Sequence, residues 1–231
     1  MARASPDRGA SAAMPAVRTV ARDGTPATGS RACAALLALL VSASALASIQ
    51  SPSDPFPERA ASYLLLIEGV PQWGRNPDKP LAPASLTKLM TSLLVLEAAR
   101  LESVVIVTRE ASRETGTKLG LRTGEKLRAG DLLAAIVLKS ANDACRALAD
   151  HHAGGEAKFV AAMNERARRM GLRRTHFANA CGHDHPGQVS TARELAALAQ
   201  AVMSHPEYAG LAAKVRLISF GEPEVVAETQ K

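Results

Sequence analysis

The chain has 231 residues, 47% hydrophobic and 22% charged, with few aromatics; that suits one sizeable folded core plus tails and excludes a low-complexity chain. Its net charge of +6 is modest, and +3 of it falls in residues 1–47, where five arginines stand against two aspartates. The +3 left over is no nucleic-acid footprint, although it would not oppose contact with an anionic polymer.

In chain order, Arg18, Arg22 and Arg31 precede an apolar run over residues 34–41, followed by small residues ending in Ala45-Leu46-Ala47. That order of charge, apolar core and small-x-small site predicts a signal peptide over 1–47 with an extended N-region, cut after Ala47. The apolar run is too short for an ordinary transmembrane helix, so the mature chain is expected to be exported without one. A true start at Met14 or nearer Arg31 would account for the long polar stretch; a disordered tail with a core helix is the plainer alternative. Cys33 fits no lipobox, because Arg31 stands where a small residue is needed. Export leaves Cys145 and Cys181 in an oxidising compartment, where a bridge and two inert thiols are both open.

Residues 48–62 read as a linker and 63–231 as the folded domain. A buried strand is expected at 63–67, with a hairpin partner at 70–73 and a turn-rich approach over 74–80. An apolar helix should begin near Ser85 and run to Glu97, with Leu86, Leu89, Met90, Leu93 and Leu96 at helical spacing. A β-like run follows at 104–107, then a Gly- and charge-rich loop over 114–130. Asp131 is expected to cap a helix with Leu132, Leu133, Ile136 and Val137 inward. Further helices are expected at 144–152, ended by Gly154-Gly155, and at 156–170, stopped by Gly171. After a loop over 175–189, Thr191 and Glu194 form a capping box for a helix with Leu195, Leu198 and Val202 inward. A strand is expected at 214–220. Helices in the middle with strands early and late make the class α+β.

Two polar spots interrupt these elements. Ser85 and Lys88 lie one turn apart, on one face of a helix start. A serine there has backbone N–H groups beside its oxygen, and a desolvated lysine can accept its proton. The bland alternative is an exposed lysine beside a capping serine. Ser140 and Asn142 fall on a tight connection between helices and offer a hydroxyl and an amide to one cleft; a simple polar turn is the alternative.

Ser-x-x-Lys followed some fifty residues later by Ser-x-Asn is a pairing of penicillin-recognising enzymes. The words PASLTKLMT at 83–91, LLAAIVLKSANDACRALAD at 132–150, FVAAMNERARRMGLRRTHFANACG at 159–182 and STARELAAL at 190–198 resemble the D-alanyl-D-alanine carboxypeptidases of serine peptidase family S11. The resemblance implies a β-lactamase-like fold, an antiparallel sheet flanked by helices. It makes Ser85 the acylated nucleophile, Lys88 its base and Ser140 the proton relay to the leaving D-alanine. Asn142 would bind the substrate's backbone amide, with no cofactor and no metal. The implied partners are peptidoglycan peptides, with β-lactams as covalent inhibitors, in the periplasm or cell envelope. A non-catalytic relative that binds wall peptides or a protein partner is the alternative, and a β-lactamase or esterase on the same scaffold a third.

The family's third motif, Lys-Thr-Gly or His-Thr-Gly on a later strand, does not occur before Lys231. Arg122-Thr123-Gly124 precedes Ser140 and is out of order, a decoy. The sheet is therefore expected to be incomplete at its C-terminal strands. Without one oxyanion donor the rate falls by about 10²–10³, so this stretch alone is expected to be a weak or inactive enzyme. An in-frame Lys-Thr-Gly a few tens of residues on would restore the full forecast.

Three smaller signals are weighed against this. Cys181, His183, Asp184 and His185 cluster in one loop, but their spacing fits no standard zinc pattern. The arginines at 166, 168, 169, 173 and 174 read as a solvated face. His151-His152 reads as a helix C-terminal charge and cap.

Overall fold

A computed structural model of the chain describes residues 60–220. The signal peptide expected at 1–47 and most of the 48–62 linker lie outside the described residues. Strands β1 (Tyr63–Ile67) and β2 (Val70–Arg75) form an antiparallel hairpin, with a register shift between Leu65 and Leu66. Its turn, Glu68-Gly69, has φ of 51° and 79°, so both residues are left-handed, as a tight hairpin turn of matching twist requires. The strand at 63–67 was expected to be buried. Leu65 and Ile67 are instead exposed, because the hairpin packs on one side only, against the later helix α6 (Ala192–Met203).

The centre of the domain is α1 (Lys88–Glu97), preceded by a single 3₁₀ turn over Ala84–Thr87. Every residue from Met90 to Leu96 is buried, so apolar contact surrounds this helix rather than lining one stripe. It packs against α3 (Ala129–Lys139), α4 (Asn142–Ala153), α5 (Glu156–Arg169) and α6. The core they share includes Leu132, Leu133, Leu148, Phe159, Met163, Phe177 and Leu198. Burying such side chains stabilises the fold by about 1.5–3 kcal/mol each, before chain entropy opposes it.

β3 (Val104–Ile106) pairs antiparallel with β4 (Lys126–Arg128), a strand within the stretch expected to be loop. Only Val105 of β3 faces the core, and β4 has no apolar run long enough to announce itself. A short α2 (Arg109–Ser112) lies between them, capped by the Thr108 hydroxyl, which accepts the Ala111 N–H. Asp131 does not cap α3. The helix starts two residues earlier, and Asp131 sits in its first turn, paired with Arg128 at 2.9 Å, where a carboxylate meets the positive helix end.

The capping box at Thr191 is half formed. The Thr191 hydroxyl accepts the Glu194 N–H at 3.2 Å, but the Glu194 carboxylate turns instead to the Arg174 N–H and the Thr175 hydroxyl. The strand expected at 214–220 is instead part of α7 (Pro206–Phe220). Proline suits a first helical position, and a helix once nucleated propagates through residues that would favour strand alone. Among the described residues no helix is long and apolar enough to cross a membrane.

Candidate active site

The approach to Ser85 is fixed by two backbone hydrogen bonds between Leu81 and Ser190, at 2.8 and 2.9 Å. Ala84 then adopts φ 47°, an uncommon left-handed conformation for a residue with a side chain, directly ahead of Ser85. Such strained residues concentrate at functional sites. Ser85 is exposed on the 3₁₀ turn, while Lys88, one turn on, is only 4% exposed.

Lys88 Nζ lies 3.4 Å from Ser85 Oγ and donates to the Cys181 carbonyl at 2.6 Å. No carboxylate lies within ion-pair distance of it among the described residues. Burial therefore dominates, pulling its pKa from the ordinary 10.5 down to about 8, with the charge of Glu114 opposing the shift. A neutral amine held this way spends an N–H on Cys181 and presents its lone pair to the Ser85 hydroxyl. The exposed-lysine alternative does not describe this residue.

Ser140 ends α3 with φ 56°, its N–H bonded to the Ile136 carbonyl. Its side chain makes no hydrogen bond to Ser85 or Lys88 among the described residues. Asn142 begins α4; its N–H donates to the Thr117 carbonyl at 2.7 Å and its side-chain NH₂ to the Thr115 carbonyl at 2.6 Å. That leaves its side-chain oxygen to accept an incoming N–H.

Asp143 completes this corner. It is fully buried, and its carboxylate accepts the N–H groups of Leu119, Gly120, Leu121 and Ala144 at 2.8–3.0 Å. Burial alone would raise its pKa, but these donors outweigh burial and hold it below the usual carboxylate range.

The backbone at 180–182 closes the site. The Thr91 hydroxyl donates to the Ala180 carbonyl at 2.6 Å, and the Ala180 N–H donates to Glu156 at 3.0 Å. Glu156 is paired with Arg146, which also binds Asp150 and reaches Glu114. Gly182, at φ 91°, packs so closely on the 84–85 backbone that a Cβ there would overlap the Ala84 carbonyl oxygen and come within 3.0 Å of Ser85 N. Cys181 is bridged to Cys145 of α4, with Cα atoms 5.9 Å apart, which resolves the choice left open between a bridge and free thiols.

The other residues of the Cys-His loop have local partners. His183 Nε2 meets Glu114 at 2.7 Å, and His185 accepts the Gly187 N–H. Arg122-Thr123-Gly124 is a turn leading into β4, not a strand. Of the arginines, Arg166 pairs with Glu97, and Arg168 and Arg169 with Glu165. His152 is not the charged cap expected: burial, then Arg100 and His151, lower its pKa, and it packs edge-on against Phe159.

The family profile of the D-alanyl-D-alanine carboxypeptidases, peptidase family S11, matches residues 69–216. The D-alanyl-D-alanine carboxypeptidase DacC of Escherichia coli is 37% identical over 154 residues, covering 62% of this chain and 37% of that protein. The D-alanyl-D-alanine carboxypeptidase DacD of Francisella tularensis superposes with a TM-score of 0.63 at 31% identity, over 67% of this chain and 39% of its own. For penicillin-binding protein 6B of Escherichia coli the values are 0.62 and 35%, over 69% and 56%. The chain spans about two fifths of the length of the curated relatives it matches.

Proposed function

The chain belongs to the S11 family of D-alanyl-D-alanine carboxypeptidases, and from that membership we propose that it removes the terminal D-alanine of peptidoglycan stem peptides through an acyl-enzyme on Ser85. One observation carries the reading: a buried amine with its pKa drawn down to about 8, 3.4 Å from an exposed hydroxyl at a helix start.

Neutral Lys88 takes the Ser85 proton as Oγ attacks the carbonyl carbon of the penultimate D-alanine. The negative charge that develops on the carbonyl oxygen is met by the Ser85 N–H at the front of the turn. The C–N bond breaks, and the leaving D-alanine nitrogen receives the proton from Lys88 through the Ser140 hydroxyl. Water, deprotonated by the same amine, then attacks the ester carbonyl; the acyl C–Oγ bond breaks, Lys88 returns the proton to Ser85 Oγ, and the shortened peptide leaves. Asn142 supports this course by accepting the substrate's amide N–H while Thr115 fixes its NH₂ group. No step requires a metal or cofactor.

β-Lactams acylate the same hydroxyl, and the ring-opened product stays attached. The targeting features of residues 1–47 support action in the periplasm or cell envelope, where the bridge between Cys145 and Cys181 would persist. The test is incubation of the purified chain with a peptide ending in D-alanyl-D-alanine, followed by detection of free D-alanine. Release that disappears in Ser85→Ala and Lys88→Ala supports the proposal; release unchanged in Ser85→Ala refutes it.

A further inference from the structure

The Cys145–Cys181 bridge joins two parts of the site that are 36 residues apart in sequence. Cys145 lies one turn after Asn142 on α4, and Cys181 is the residue whose carbonyl receives the Lys88 N–H. Both cysteines are buried. The neighbours of Cys181 show why its side chain matters. Ala180 is held at both of its backbone polar groups, by Thr91 and Glu156. The peptide group that carries the Cys181 carbonyl leads directly into Gly182, whose φ of 91° suits a residue without a Cβ. The Gly182 N–H is met by Asn179 at 2.7 Å. The covalent hold on that stretch is the Cys181 side chain.

We infer that the bridge is a positioning device, which fixes the Cys181 carbonyl against the Lys88 amine and thereby aims the amine at Ser85. This rests on the reading of Lys88 as the base. The two sulfur-bearing side chains touch neither substrate nor reacting atoms; they act through the Cys181 carbonyl, which holds Lys88. Without the bridge the 181–182 peptide turns, water reaches Nζ, and the desolvation that lowers the amine's pKa is lost. Glu114, whose charge already favours the protonated amine, then acts unopposed; it faces Lys88 from the segment after α2 and is itself engaged by His183 and Arg146.

The experiment is NMR titration of the whole chain carrying ¹³Cε-labelled lysine, with the Lys88 signal identified by its loss in Lys88→Arg. The oxidised protein is expected to show Lys88 titrating near 8. In Cys145→Ala/Cys181→Ala the midpoint is expected to rise by at least one pH unit toward the ordinary value, with each single variant giving the same rise as the pair. A folded double variant whose Lys88 still titrates near 8 overturns the inference, since a bridge that only constrains the unfolded chain lowers Tm and leaves this midpoint alone. If the double variant does not fold, wild-type protein reduced with a phosphine and verified by mass spectrometry carries the same comparison with the same two outcomes. A midpoint near 10.5 in the oxidised wild type overturns the base reading and this inference together, whereas an unmoved midpoint overturns this inference alone.

Discussion

Asp143→Asn tests how the Asn142 corner is built. The carboxylate divides its work evenly: Oδ1 accepts from Leu119 and Ala144, and Oδ2 from Gly120 and Leu121. An asparagine of the same shape keeps one oxygen and turns an NH₂ toward two N–H donors. Two charge-assisted bonds are lost at about 1.5–3 kcal/mol each, so the expected destabilisation is about 3–6 kcal/mol. That is a large share of the roughly 5–15 kcal/mol that holds a domain folded. Urea unfolding at neutral pH measures it directly, and hydrogen exchange should show lost protection at the amides of 119–121. The effect also has a pH signature. The folded carboxyl titrates below its unfolded value, so its stabilisation is complete above about pH 4 and fades as pH falls through the folded pKa. The gap between wild type and variant should therefore narrow in acid. A loss under about 1 kcal/mol at neutral pH, well short of one such bond, would refute the reasoning.

Gly182→Ala should be destabilising and damaging to the site together, because the new methyl overlaps the Ala84 carbonyl and φ 91° disfavours any side chain. The conformational part alone costs about 1–2 kcal/mol, and displacing Ser85 by about 1 Å would slow its acylation roughly 10²-fold; calorimetry and stopped-flow acylation by a penicillin read the two effects. The pH dependence of acylation should have an acid limb near 8, since the reaction needs the neutral Lys88 amine. The stability linked to Lys88 should rise between about 8 and 10.5, where the unfolded chain holds that proton and the folded chain does not. Glu114→Gln removes the charge that opposes the shift, so the same limb should move to lower pH in rate-against-pH profiles.

The parts of this site that sequence disclosed are the local ones. Ser85 and Lys88 stand three apart at the head of an apolar helix, so their juxtaposition follows from helical geometry alone. Ser140 and Asn142 stand out in the sequence as a polar break between two apolar patterns. What holds them was not. The Cys181 carbonyl is a backbone group with no residue-type signature, 93 residues from the lysine it binds. Glu114 and His183 meet across 69 residues of sequence. Asp143 had a signal that went unused: an acid in the first turn of a helix, directly after the Ser-x-Asn break, is placed to gather N–H donors. Misread elements follow the same divide. β4 is a three-residue strand defined by its partner β3, and residues 214–220 follow the helix that Pro206 starts rather than their own β-branched composition.

Intact-mass spectrometry with peptide mapping, after exposure of the purified chain to benzylpenicillin, tests the central claim most directly. The account predicts a single acyl adduct on Ser85, formed through the amine of Lys88 and absent from Ser85→Ala. An adduct on any other residue, or one that persists in Ser85→Ala, would contradict it.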